Sequence, residues 1–129
     1  MATWATVSKI ASGLVGVEEI ESKQGLLQWR VGEKLLAWDR PLRRSDLEAL
    51  GDDAPKGAIL GVYVPDLETK DVLVTQRPEI YFTTPHFKGY AIVLVRLAKI
   101  PAGELKALLT EGWQARSAKP KPRPRTKKR

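Results

Sequence analysis

Apolar residues recur every three or four positions at both ends of the chain and follow tighter spacings between them. Trp4, Val7, Ile10, Ala11 and Leu14 fall on one face of a helix that Thr3 can cap and that Gly13 and Gly16 stop. Toward the other end, Pro101 stands at a helix start, and Leu105, Leu108, Leu109 and Trp113 recur at helical spacing over 101–116.

The middle reads as strands. Val17 to Glu21 is a weak one; GLLQWRV (25–31) and KLLAWDR (34–40) are stronger, and the Gly32-Glu33 turn between them predicts a hairpin. ILGVYV (59–64), EIYFTT (79–84) and YAIVLVRL (90–97) follow, the last too apolar for an exposed edge. In DLETKDVLVTQ (66–76) Asp66 has the character of a helix N-cap while VLV favours extended chain; helix is the preferred reading. RPLRRSDLEALGDDAPKG (40–57) is an irregular connection, with Ser45 and Glu48 at capping-box spacing for one short helical turn over 46–50. Helices at the ends and strands between predict a two-layer α+β domain, an antiparallel sheet packed on the N- and C-terminal helices. Trp29, Trp38 and Trp113 lie on apolar-patterned segments and are expected in the core rather than as stacking platforms; the pattern leaves Trp4 undecided.

Composition narrows the class. A chain of 129 residues fits one domain. It has no cysteine, which excludes disulfides and thiolate chemistry. The first residues, MATWATVSKIASGLVGVEE, show no basic stretch ahead of a continuous apolar one, and the longest apolar run, AIVLV (91–95), is far short of a membrane span. A soluble cytoplasmic protein without membrane contact is expected.

Charge divides the chain in two. The formal net charge is +7, and residues 117–129 hold seven bases and no acid: Lys119, Lys121, Arg123, Arg125, Lys127, Lys128 and Arg129. The remaining 15 basic residues, in 1–116, match 15 acidic ones, so the body is formally neutral. The sequence therefore predicts a domain over 1–116 and a disordered or polyproline-like basic arm over 117–129. KPKPRPR spreads positive charge along an extended line, which suits the phosphates of DNA or another polyanion. It lacks the glycine that an AT-hook places between arginines, so no reading of base sequence is expected. In the body, Arg40, Arg43 and Arg44 of RPLRR are candidate phosphate contacts, because arginine suits bidentate contacts, and Lys88 of the FKGY turn joins them.

The only histidine, His86, lies in YFTTPHFKGY (81–90). A zinc site needs three or four ligands, usually Cys or His, which this chain does not offer. Thr83 and Thr84 are the nearby aliphatic hydroxyls that could serve as a nucleophile, and no G-x-S-x-G stretch or phosphate-binding glycine loop is present. No metal, cofactor or catalytic residue is expected. The favoured role for His86 is a bracket: one ring nitrogen donating to a backbone carbonyl, with the ring face packed on Phe87 or Tyr90. Thr84, His86 and Tyr90 together are a possible ligand-binding or structural motif.

VSKIASGLVGVEE, QWRVGEKLLAW, RPEIYFTTPHFKGYAIVLVRL and ELKALLTEGW, in that order, resemble the MmcQ/YjbR family of small bacterial proteins. The resemblance covers most of residues 4–116, and Pro78 to Leu97 is its most specific part. It implies a secretion-chaperone-like fold of the α-β(3)-α-β(2)-α type, and the DNA-binding role usually attached to the family. The expected function is non-enzymatic: weak binding of DNA without sequence preference, anchored by the basic tail. A chaperone-like protein-binding module and a small-ligand site around His86 are the alternatives.

Overall fold

Gly32 takes a positive φ of 63° at the turn between β2 (Leu27–Val31) and β3 (Lys34–Asp39), and the expected hairpin forms around it. The computed structural model describes residues 2–55 and 57–117. β1 (Val17–Glu21) pairs with β2, and β4 (Ile59–Tyr63), β6 (Ile92–Arg96) and β5 (Tyr81–Phe82) extend the sheet beyond β3. The result is one antiparallel sheet of six strands in the order β1-β2-β3-β4-β6-β5. With four α-helices among the described residues, that is one strand and one helix more than the α-β(3)-α-β(2)-α string carries, within the same α+β class.

Alternation along the central strands feeds two separate cores. Leu60 and Val62 of β4, with Val93 and Val95 of β6, face α1 (Trp4–Ser12) and α4 (Ala102–Ser117), whose Val7, Ala11, Leu105, Leu108 and Leu109 close the main core. Ile59, Ile92 and Leu94 face the other way and meet Phe82 and Phe87, with Trp38, Leu42, Leu50 and Tyr63 around them. Burial on both faces explains the unbroken apolar run of β6, which lies between β4 and β5 and not at an edge. In the hairpin, Trp29 pairs with Ala37 but Arg30 with Leu35, so Leu36 is an extra residue and both Leu36 and Ala37 turn inward.

The ends of the helices follow their caps. Thr3 Oγ1 accepts from the Thr6 amide at 3.3 Å at the start of α1. Asp66 Oδ1 accepts from the Thr69 amide at 2.8 Å, and α3 (Leu67–Gln76) is helical as preferred. Two local expectations need correction. α2 (Arg44–Leu50) is not capped by Ser45: the Arg43 amide donates to Asp46 Oδ2 at 2.8 Å, so the helix begins earlier. The strand expected over 79–84 is only Tyr81–Phe82: the Ile80 and Tyr81 amides both donate to Arg77 O at 3.0 Å in the turn before it, and beyond Thr84 the chain enters a 3-10 helix, Pro85–Phe87. Trp29 is buried, and Trp4 stacks on it with ring centroids 6.2 Å apart; Trp38 and Trp113 are half-buried. Among the described residues no helix is long and apolar enough to cross a membrane.

Candidate functional site

Residues 83–90 cross from β5 to β6 as a folded loop. Phe87 N–H donates to Thr84 O at 2.9 Å, Lys88 N–H to Pro85 O at 3.2 Å and Tyr90 N–H to Phe87 O at 3.0 Å, with Gly89 at φ +84° completing the turn. Phe87 is the inward residue, with Trp38 set edge-on at 6.1 Å and the Arg40 guanidinium 5.1 Å from its ring centre.

His86 is exposed, and its ring meets Phe87 edge to face at 4.8 Å. The aromatic half of the bracket is therefore present. The other half is not: among the described residues His86 makes no hydrogen bond, and Tyr90 is 60 % exposed.

The bracket is Lys70. It reaches from α3 to donate its Nζ to Phe87 O at 2.7 Å and to Tyr90 O at 2.8 Å, closing the loop across 17 and 20 residues of sequence. Burial lowers its pKa, an effect the charge of Asp71 partly opposes. The sequence did hold a signal for this. Lys70 stands three and four residues before Leu73 and Val74, which pack on the main core, so it occupies the inward face of α3.

A second clamp joins the loop to the arginine cluster. Arg40 is buried, with Nη2 2.9 Å from Asp46 Oδ2 and Nη1 donating to Pro41 O. Burial pushes the Asp46 carboxyl up. The Arg43 amide and the Arg40 charge outweigh it, and the net shift is downward. Arg40 is therefore corrected from phosphate contact to structural ion pair. Arg43, Arg44 and Lys88 are exposed. Arg43 adjoins Asp46 through its own amide and Lys88 follows the Phe87 that lies under Arg40, so these bases stand on adjoining segments.

Beside the loop, between it and α3, lies an open cleft of about 460 Å³. Leu67, Lys70, Asp71, Thr83, Thr84 and Lys88 line most of it. Of the three residues in the proposed motif only Thr84 reaches this cleft; His86 and Tyr90 do not. Among the described residues no group of three or more His, Cys, Asp or Glu side chains could hold a metal ion. Lys119, Lys121, Arg123, Arg125, Lys127, Lys128 and Arg129 lie outside the described residues.

The YjbR family model matches residues 12–115, which takes in the hairpin, both clamps and most of α4. This chain belongs to the YjbR family. It is 49% identical over 122 residues to Uncharacterized protein Rv2570 of Mycobacterium tuberculosis (strain H37Rv), covering 92% of each chain. Uncharacterized protein Mb2600 of Mycobacterium bovis matches to the same extent. No solved structure matches the chain.

Proposed function

We propose that this YjbR-family protein is a non-enzymatic, cytoplasmic binder of DNA or a similar polyanion, with the basic C-terminal segment as its electrostatic anchor. The carrying observation is the partition of charge: seven bases and no acid in 117–129, beside a body whose charges balance. The clamps refine which body residues add to it. Arg40 spends its charge on Asp46, which leaves exposed Arg43, Arg44 and Lys88 as secondary phosphate contacts. Each phosphate neutralised releases condensed counterion, so affinity should fall with salt at a log–log slope of about −0.9 per contact. Seven tail charges set a ceiling near −6 on the tail's share, and about half of them engaged gives roughly −3.

Titrating unrelated duplexes against the full chain at several salt concentrations tests this. Micromolar or weaker affinity at physiological salt, nearly independent of sequence, is expected. Replacing the seven tail bases by glutamine should remove most of the binding. A slope and affinity unchanged by that replacement would move the contact to Arg43, Arg44 and Lys88.

The cleft beside Lys70 favours a second reading, a small-ligand site that adjoins His86 without including it. Native mass spectrometry of the purified chain would reveal a bound metabolite.

A further inference from the structure

β1 is the outer strand of the sheet: it pairs with β2 along one side and with no described strand along the other. Val17 N–H donates to Leu14 O at 3.2 Å, so it is turned away from β2. Backbone groups alternate sides along a strand, which turns the N–H and C=O groups of Glu19 and Glu21 outward as well. The side chains on this edge, Glu18 to Glu21, are all exposed. Glu19 is occupied by Ser8 and the Trp29 indole, while Glu18 and Glu21 form no salt bridge among the described residues. Carboxylates on an edge deter pairing with a second copy of the same strand, and they admit a basic one.

The end of α4 is placed to supply it. Trp113 Nε1 donates to Val15 O at 2.8 Å, and Arg116 Nε donates to Leu35 O at 3.0 Å. Val31 pairs with both Val17 and Lys34, so the last turn of α4 lies at the end of the sheet where β1 begins. The sequence AKPKPRPRTKKR follows Ser117. Twelve extended residues span about 40 Å, against about 17 Å for a strand of the length of β1.

Proline stands at every second position, 120, 122 and 124. In an extended chain the N–H groups alternate sides, so every missing donor falls on one edge. Lys119, Lys121, Arg123 and Arg125 keep theirs on the opposite edge. A strand of this kind pairs on one side only: it can add to a sheet and cannot recruit a further strand. The same alternation puts the four basic side chains on a single face.

We propose that the outer edge of β1 is the docking site of the chain's own C-terminal segment, which adds to the sheet as a one-sided strand. Backbone bonds to Glu19 and Glu21 would set its register; Glu18 and Glu21 stand on opposite faces of β1, so the one that shares the face of the four basic side chains would select its charge. The pairing does not rest on DNA binding, and it is read in the absence of any polyanion.

Amide hydrogen exchange on the full chain at low salt tests the proposal. The Glu19 and Glu21 amides are expected to exchange at least tenfold more slowly in the unaltered chain than in Lys121→Pro/Arg123→Pro, which removes donors from the pairing edge. Glu18→Lys/Glu21→Lys, which reverses the edge charge and keeps those donors, should lose the protection too. Fast exchange of both amides in the unaltered chain, or protection indifferent to the tail substitutions, would overturn it. Protection that grows with protein concentration alongside a dimer mass in sedimentation would overturn it as well, by giving the edge to a second copy.

Discussion

Gly112, in the middle of α4, lays its bare backbone against the carbonyl oxygen of Tyr63 at the end of β4. A Cβ there would overlap that oxygen and come within 3.1 Å of Leu36 Cδ1. An interior glycine costs a helix about 1 kcal/mol relative to alanine. Here close approach of helix to sheet is what it secures.

Gly112→Ala is therefore expected to destabilise the fold by about 1–3 kcal/mol, despite the better helix propensity of alanine. Denaturant unfolding measures it. A stabilised variant would mean that α4 can shift outward at little cost. Gly61→Ala should behave alike, since its Cβ would come within 2.8 Å of the Trp38 ring.

Lys70 and His86 should separate sharply. Lys70→Met removes two charge-assisted bonds to the loop and is expected to cost about 2–3 kcal/mol, with faster amide exchange in residues 84–90. His86→Ala loses one edge-on ring contact at an exposed position and should cost under about 1 kcal/mol. The reverse order in chemical denaturation would restore His86 as the bracket.

Asp46 should shape the acid limb of stability. Its folded pKa is lowered, so the stability it contributes is fully present above the ordinary carboxylate value. That contribution is lost as the pH falls through the folded value. The melting temperature of the unaltered chain should drop below about pH 4. Asp46→Asn should lose about 3 kcal/mol at neutral pH, because Arg40 is left buried without its partner, and its acid limb should be flatter. Parallel acid limbs for the two proteins would refute this.

Tyr81 should act at the alkaline end. Burial, the hydrogen bond to Glu104 Oε2 at 2.7 Å and the Glu104 charge raise its pKa. The folded state then holds a proton that the unfolded chain gives up near pH 10, so stability is complete below that and declines as the pH rises further. Tyr81→Phe should cost about 1 kcal/mol at neutral pH and lessen the alkaline decline. Melting curves from pH 8 to pH 11 compare the two.

The elements of this fold are written into local sequence. Thr3, Asp66 and Pro101 mark helix starts, Gly32 marks the hairpin, and apolar periodicity separates α4 from β6, because caps, turns and periods act over a few residues. The division of charge between body and tail is equally plain from residue identities alone. What the chain does with its polar side chains was decided elsewhere. Arg40 reads as one of three surface arginines until Asp46 and Phe87 meet it beneath the sheet. His86 reads as the centre of its loop until Lys70 arrives from α3, and Gly112 reads as a flaw in a helix until β4 comes up against it. A buried charge or a bare backbone is worth only what its partner in space makes of it. Those partners are set by how helices and strands stack, which no local spacing encodes.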